Sequence, residues 1–131
     1  MTRLVLDASA GVDLLLETPA GIRLQEKVPR SAEWFVPEHY FVEVAGAIRR
    51  AELSEAITPA RAVRAFADLQ SAPLHRALVL PLLAEAWQLR SNVTVPDAVY
   101  VVLAHKLGAA LVTSDGRLAN APAIDVEIIS A

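Results

Sequence analysis

Val93–Leu118, with the sequence VTVPDAVYVVLAHKLGAALVTSDGRL, is the stretch that decides the fold of this chain. Proline suits the first turn of a helix, and a carboxylate there faces the positive end of the helix dipole. Pro96 and Asp97 therefore predict the start of a helix. Ala98–Lys106 continues it with the apolar spacing of a buried helix.

A short strand after this helix brings a second carboxylate back to the first. Gly108 suits the C-cap of the helix, and Ala110–Thr113 has the apolar pattern of a buried strand. About ten helical residues span roughly 15 Å in one direction, and four or five strand residues span roughly 15 Å in the other. We therefore expect Asp115 to return to the level of Asp97, at one end of a sheet.

The composition indicates one globular domain with a substantial core. The chain has 131 residues, of which 54% are hydrophobic and 21% charged. It has no cysteine, which excludes disulfides and thiolate metal sites. No signal-peptide pattern or apolar run of about 18 residues occurs, so we expect a soluble, cytoplasmic protein. The net charge of −3 argues against a general nucleic-acid coat protein, although carboxylates gathered around metal ions would produce the same value.

Elsewhere along the chain, strand patterns alternate with helix patterns. Further strands are predicted at Arg3–Leu6, Glu33–Val36, Ala77–Leu80 and Val126–Ile129. Helices are predicted at Ala10–Glu17, Ala20–Val28, Glu38–Glu52, Pro59–Gln70 and Leu82–Arg90, with a helical turn at Asp115–Ala119. This order favours one α/β layer structure with a mainly parallel sheet and right-handed crossovers.

Four acidic residues fall at the same edge of this expected sheet. Asp7 and Asp115 each follow a strand. Glu43 lies in the second turn of a helix that leaves a strand, and Asp97 opens a helix. Sites in parallel sheets form beyond the carboxyl ends of the strands. Because clustered carboxylates repel one another without a cation, and Mg²⁺ and Mn²⁺ prefer oxygen ligands, the pattern predicts a divalent-cation site suited to phosphodiester hydrolysis.

Each of these carboxylates also has an ordinary structural explanation. Asp7 could cap the helix after the first strand, and Glu43 could be a solvated helix position. Asp97 could serve only as a helix-start residue, and Asp115 only as a turn residue before a glycine. Their shared position at strand ends favours the functional interpretation over four coincidences.

Several other polar and aromatic residues have open interpretations. Ser9 and Thr113 could orient carboxylates by hydrogen bonds, or could serve only in capping and turns. Four arginines on two consecutive helices are candidate phosphate contacts, with a solvated helix face as the alternative: Arg49, Arg50, Arg61 and Arg64. Three histidines lack metal-ligand spacing and are interpreted as structural or solvated: His39, His75 and His105. Three aromatic residues are interpreted as core or interface residues rather than base-stacking platforms: Trp34, Phe66 and Trp87.

Four segments together resemble a known family. They are Leu4–Ser9 (LVLDAS), Val42–Arg50 with its glutamate, Pro96–Ala104 (PDAVYVVLA) and Leu111–Leu118 (LVTSDGRL). Their order and spacing resemble the PIN-domain family, and within it the VapC ribonuclease toxins of bacterial VapBC toxin–antitoxin modules. The resemblance runs from residue 4 to about residue 120, so it treats residues 1–131 as a single PIN domain.

The resemblance carries specific implications. It implies a three-layer α/β/α fold with a mainly parallel sheet of about five strands. It implies a Mg²⁺- or Mn²⁺-dependent endoribonuclease, often acting on tRNA or rRNA, that forms a homodimer and is inhibited by a VapB-type antitoxin. The metal-binding acidic positions correspond to Asp7, Glu43, Asp97 and Asp115, and the hydroxyl of the family's TxD motif corresponds to Thr113. The chain departs from many members at two positions, Gly46 and Pro96.

Other classes of α/β protein fit the residues less well. A receiver-type signalling domain needs a lysine after a late strand, and neither Lys27 nor Lys106 follows a predicted strand. A haloacid-dehalogenase-like phosphatase needs an Asp-x-Asp motif, and Ser9 occupies its third position. No glycine-rich phosphate loop occurs. The alternative that stays open is a PIN-like RNA-processing or catalytically inactive binding protein outside a toxin–antitoxin module.

Overall fold

The computed structural model describes residues 1–122 and 124–131, and in it five parallel strands form one sheet. The strands are β1 (Arg3–Leu6), β2 (Glu33–Pro37), β3 (Leu74–Ala77), β4 (Ala110–Thr113) and β5 (Ile128–Ser130), in the spatial order β3-β2-β1-β4-β5. Every neighbouring pair is parallel, which confirms the predicted parallel α/β sheet.

Helices cover both faces of this sheet. They are α1 (Ala8–Leu16), α2 (Pro19–Lys27), α3 (His39–Leu53), α4 (Pro59–Ser71), α5 (Leu83–Gln88), α6 (Val95–Leu107) and the short α7 (Gly116–Ala119). The chain moves outward from β1 to β3 and then crosses back to β4, so right-handed crossovers place α1–α4 on one face and α5–α6 on the other. In agreement, α1 packs against α2, α3 and α4, whereas α6 packs against α5. The three-layer prediction is therefore confirmed.

Local capping residues fix the ends of α6. The hydroxyl of Thr94 accepts a hydrogen bond from the backbone N–H of Asp97, so Thr94 is the N-cap and the helix begins at Val95. Gly108 ends it with a φ of 59°, a left-handed conformation that glycine adopts without strain. Residues 98–104 of α6 are all buried, because the helix lies under α5 and against the middle of the sheet.

The third strand is where the sequence-based expectation is wrong. The prediction placed it at 77–80, but β3 is Leu74–Ala77, and a 3₁₀ helix follows at Leu80–Leu82. Leu78 and Leu80 are 72% and 79% exposed, so their apolar pattern marks surface rather than a core strand. Smaller shifts occur elsewhere: α1 begins at residue 8 rather than 10, and the last strand at 128 rather than 126.

A close approach between α1 and α3 requires a glycine. A Cβ atom added at Gly11 would lie 2.3 Å from the hydroxyl oxygen of Tyr40 and 2.7 Å from its Cε2. Tyr40 is buried and cannot swing into solvent. By contrast, a Cβ at Gly46 on α3 would meet only Nη1 of Arg50, at an ordinary 3.6 Å.

We expect Gly11→Ala to lower the free energy of unfolding by about 1–3 kcal/mol, because the added methyl group overpacks against Tyr40. Gly46→Ala is the matched control in another helix. It should raise stability by about 0.5–1 kcal/mol, since alanine favours helix and nothing nearby must move. Urea denaturation of both variants measures the difference. Equal effects of the two substitutions would contradict the described packing.

Candidate active site

The candidate site lies where the direction of chain winding reverses. The chain leaves β1 toward β2 on one side and returns to β4 on the other, so the carboxyl ends of β1 and β4 flank a switch point. Crevices of this kind are where open α/β sheets bind ligands. The register pairs Leu6 with Val112, and the N–H of Asp7 donates to the Val112 carbonyl at 3.1 Å. Asp7 therefore lies beside Thr113, at the centre of this edge.

Asp7 is 3% exposed and almost fully committed to hydrogen bonds. Its Oδ1 accepts from Ser9 Oγ at 2.8 Å and from the backbone N–H of Ala10 at 2.9 Å. Its Oδ2 accepts from the Thr113 hydroxyl. Each carboxylate oxygen has two lone pairs, so Oδ2 keeps one acceptor direction for a further partner. Asp7 thus caps α1 and also retains a free oxygen direction.

Two hydroxyls join the end of β1 to the end of β4. Thr113 Oγ1 accepts from the backbone N–H of Asp115 at 3.0 Å while donating to Asp7. Ser9 Oγ accepts from the backbone N–H of Ser114 at 3.0 Å and lies 3.3 Å from Thr113 Oγ1. These contacts fix the separation of the Asp7 and Asp115 backbones. They give Ser9 and Thr113 the orienting contacts that their positions suggested.

Asp115 and Asp97 occupy more open positions than Asp7. Asp115 caps α7, since its Oδ1 accepts from the backbone N–H of Arg117 at 2.9 Å. The Nε of Arg117 lies 3.8 Å from the same oxygen, and its side chain is 96% exposed. Because Thr94 caps α6, the carboxylate of Asp97 is not needed for capping. Of the two, only Asp115 therefore has the ordinary capping role.

The pKa of Asp97 shows that the acidic residues share one electrostatic field. Burial raises this pKa most, and the charges of Asp115 and Glu43 raise it further. The Thr94 hydroxyl and the Arg117 guanidinium lower it in part. Asp97 in turn contributes to the raised pKa of Asp7. Asp97 therefore lies within electrostatic reach of each of the other three acidic residues.

Three residues beside this cluster were not among the sequence-predicted site residues. Tyr100 donates a hydrogen bond to Glu43 at 2.6 Å, and His39 Nε2 lies 3.4 Å from the same oxygen. Arg117 lies beside Asp115. Helical spacing carried a usable signal for His39 alone, because it precedes Glu43 by four residues on the same helix.

The predicted arginine contacts lie farther away. Arg49 and Arg50 are exposed on α3, six and seven residues from Glu43, which is roughly 10 Å along the helix axis. Arg61 instead turns inward and donates to the backbone carbonyl of Leu15 at 2.6 Å. Arg64 is exposed. The guanidinium that lies beside a carboxylate of the site is instead that of Arg117.

The remaining histidines and aromatic residues have ordinary surroundings. His75 lies 3.1 Å from Glu33 and stacks on Phe35, and His105 is exposed on α6. Trp34 packs partly buried against the core, whereas Phe66 and Trp87 are exposed. The core interpretation therefore holds for Trp34, whereas for Phe66 and Trp87 the interface interpretation is the one that stays a prediction.

Burial raises the pKa of Asp7 to about 6, and its three hydrogen bonds offset only part of this cost. The unfolded value is near 3.8, so ionisation of this group opposes folding. Its penalty is absent below pH 3.8, grows between pH 3.8 and pH 6, and is complete above pH 6.

We therefore expect Asp7→Asn to be more stable than the parent protein without added metal ions. This gain in stability should be about 2 kcal/mol larger at pH 7.5 than at pH 4.5, because falling pH protonates the parent carboxylate and leaves the asparagine unchanged. Urea denaturation at the two pH values measures it. A difference that does not change with pH would contradict a raised pKa at Asp7.

The candidate ligand atoms suit a hard cation, although the side chains do not form a complete coordination sphere. All four candidate ligands offer carboxylate oxygen, which Mg²⁺ and Mn²⁺ prefer. Within residues 1–122 and 124–131, no three histidine, cysteine, aspartate or glutamate side chains stand close enough together to hold one ion. Mg²⁺ usually retains several waters and takes only one or two carboxylates directly, so the arrangement fits such an ion.

Comparisons with known proteins agree with this architecture. The PIN domain family model matches residues 4–124. Ribonuclease VapC12 of Mycobacterium tuberculosis (strain ATCC 25618 / H37Rv) is 42% identical over 125 residues, which cover 95% of this chain and 96% of that protein.

No helix in the described part of the chain is long and apolar enough to cross a membrane.

Two solved structures from Mycobacterium tuberculosis share the fold. VapC20, a sarcin-ricin loop cleaving toxin, has a TM-score of 0.66 and 19% identity, covering 88% of this chain and 92% of that chain. A VapBC-5 structure, from the VapBC family of toxin–antitoxin systems, has a TM-score of 0.59 and 21% identity, with 100% of both chains covered. Together with the family model and the 42% identical relative, these matches establish that this chain belongs to the PIN domain family, in its VapC group.

Proposed function

We propose that this chain is a Mg²⁺- or Mn²⁺-dependent endoribonuclease and the toxin component of a type II toxin–antitoxin system. The observation that carries the proposal is Asp7, a buried carboxylate held at the switch point by three hydrogen bonds. The charge of Asp97 acts on Asp7, and the charges of Glu43 and Asp115 act in turn on Asp97. The relationship to ribonuclease VapC12 supports RNA as the substrate class.

Energetics favour a cation as the partner of this cluster. Burial disfavours the ionised form of Asp7 by more than its hydrogen bonds offset. Two neighbouring charges add to the burial that disfavours the ionised form of Asp97. A divalent cation reverses both effects, since it attracts the ionised form of each carboxylate. In this proposal the ionised carboxylates lower the stability of the metal-free protein, and a bound cation offsets that loss.

The residues of the site have different roles in the proposed phosphodiester hydrolysis. Asp7 (through Oδ2), Glu43, Asp97 and Asp115 would hold the cation, one or two of them directly and the others through its bound waters. The chemistry that a bound divalent cation supplies in such sites is activation of a water and stabilisation of the leaving oxygen. Ser9 and Thr113 hold the Asp7 carboxylate in one orientation.

Exposed arginines provide the contacts to the RNA backbone in this proposal. Arg117 lies beside Asp115 with its side chain in solvent, where its guanidinium can donate to a phosphate. Arg49 and Arg50 lie farther along α3 and would contact phosphates outside the cleavage point. The tRNA or rRNA preference of VapC toxins is the expected substrate range.

The proposal extends to partners and location. Structural similarity to VapBC-5 supports a VapB-type antitoxin as the partner that inhibits cleavage. Exposed apolar side chains at Leu78, Leu80 and Trp87 support self-association as a homodimer. A ribonuclease acting on tRNA or rRNA works where these RNAs are, in the cytoplasm.

Cleavage of total cellular RNA by the purified protein tests the proposed function. With Mg²⁺ or Mn²⁺ present, we expect new RNA ends that carry 5′-phosphate and 3′-hydroxyl groups, and EDTA should abolish them. For the variant Asp7→Asn, the matched control in this assay is Asp68→Asn, because Asp68 is an exposed carboxylate on α4. RNA binding without new ends would favour the alternative of an inactive PIN-like binding protein. Cleavage that persists in EDTA would contradict the metal requirement.

A further inference from the structure

Helices α3 and α6 exchange two hydrogen bonds directly beside the candidate site. Tyr100 on α6 donates its hydroxyl hydrogen to Glu43 Oε1 on α3, at 2.6 Å. In the opposite direction, His39 on α3 contacts the backbone carbonyl of Pro96 on α6 through Nε2, at 3.0 Å. Each helix thus carries a side chain that binds the other, and we name this pair of contacts the α3–α6 clamp.

The acceptor in the contact between His39 and Pro96 determines which atom donates the hydrogen. A carbonyl oxygen only accepts, so Nε2 of His39 carries the hydrogen that it donates to Pro96. The same nitrogen lies 3.4 Å from Glu43 Oε1, within reach of the oxygen that Tyr100 binds. The rings of His39 and Tyr100 also pack together, with centroids 4.7 Å apart. The two residues therefore form one unit around a single carboxylate oxygen.

This unit contacts one acidic residue, Glu43, and the backbone next to another, Asp97. Tyr100 is almost fully buried and holds Oε1 of Glu43, which leaves Oε2 for a partner from outside. The Pro96 carbonyl that His39 binds belongs to the residue directly before Asp97. The clamp therefore joins the N-terminal halves of the two helices, which carry Glu43 and Asp97.

We propose that His39 and Tyr100 are positioning residues that orient Glu43 toward Asp97 for cation binding. The inference rests on the proposed function, because it takes these carboxylates to be ligands. Hydrogen-bonding partners behind a metal ligand are generally worth about 10–100-fold in metal affinity. A buried tyrosine hydroxyl also needs some acceptor for reasons of stability alone, so the test must separate the two roles.

Calorimetric titration of the purified protein with Mn²⁺, without RNA, separates them. We expect Tyr100→Phe and His39→Ala each to weaken Mn²⁺ binding about 10–100-fold. His39→Gln should recover much of the loss, since its amide N–H can donate to the Pro96 carbonyl. The matched controls are Tyr40→Phe, another buried tyrosine, and His105→Gln, an exposed histidine on α6. Both controls should bind Mn²⁺ within about twofold of the parent protein.

The outcomes distinguish failure of the clamp from failure of the proposed function. A parent protein that does not bind Mn²⁺ would refute the proposed cation site and the clamp with it. Parent-like affinity in both Tyr100→Phe and His39→Ala would overturn the clamp and leave the cation site standing. Equal weakening in Tyr40→Phe would also overturn it, because the effect would then be general loosening of the core. If Tyr100→Phe does not fold, His39→Ala and His39→Gln decide the question alone.

Discussion

Asp7→Asn is expected to lower the rate of RNA cleavage by at least about 1,000-fold at saturating Mn²⁺, which corresponds to about 4 kcal/mol of transition-state stabilisation. The substitution is nearly isosteric and keeps an oxygen for the backbone N–H of Ala10. It removes the negative charge from the most buried of the four acidic side chains. Cleavage of a labelled RNA under single-turnover conditions measures the effect.

The same variant should also be the more stable protein at neutral pH without metal ions, since burial penalises the ionised Asp7. Loss of activity with gain of stability is a combination that misfolding cannot produce. Asp68→Asn should leave both quantities unchanged, because that side chain is exposed on α4. Parental cleavage by Asp7→Asn would show that the buried carboxylate takes no part in the reaction.

Thr113→Val should reduce both stability and cleavage, although valine has nearly the same shape. The fully buried Thr113 hydroxyl donates to Asp7 and accepts from the N–H of Asp115. Valine leaves both groups without this partner, so we expect a loss of about 1–3 kcal/mol in unfolding free energy. Because Asp7 and Asp115 are also the proposed ligands, cleavage should fall by about 10–100-fold.

Thr113→Ser provides the matched control, since it keeps the hydroxyl and removes only a methyl group. It should retain most of the cleavage activity while losing some packing in the core. Urea denaturation and the labelled-RNA assay measure the two quantities on the same preparations. If serine and valine variants cleave alike, the hydroxyl does not orient the site.

The parts of the site that follow a strand were predictable from sequence. Asp7 and Asp115 come after β1 and β4, and a parallel sheet places such positions at one edge. Thr113 ends β4, so its side chain direction is tied to the same edge. Local pattern and the rules of sheet topology were sufficient for these three residues.

The contacts around Glu43 depend on how two helices from different layers meet. Tyr100 lies 57 positions from Glu43 in the sequence, and the pattern of either helix alone does not indicate which residues face each other across their contact. The apolar spacing of α6 instead marks Tyr100 as ordinary core. His39 lacked the spacing of a metal ligand, and its contact with Pro96 exists only once α3 and α6 are packed.

The error at β3 has a different cause. Leu78 and Leu80 read as a buried strand because apolar residues usually face the core, yet both are largely exposed. The true edge strand contains His75 and Arg76, whose side chains are exposed. Register with β2, which pairs Pro37 with Ala77, fixes the end of this strand and is invisible in local sequence.

Thermal unfolding of the parent protein and Asp7→Asn, with and without millimolar Mn²⁺, tests the central claim that the four carboxylates form a divalent-cation site. A cation that binds the folded state should raise the parent melting temperature by roughly 5–10 °C at about 100 times its Kd. Asp7→Asn should show little or no rise under the same conditions. An unchanged parent melting temperature, or an equal rise in the variant, would contradict the account.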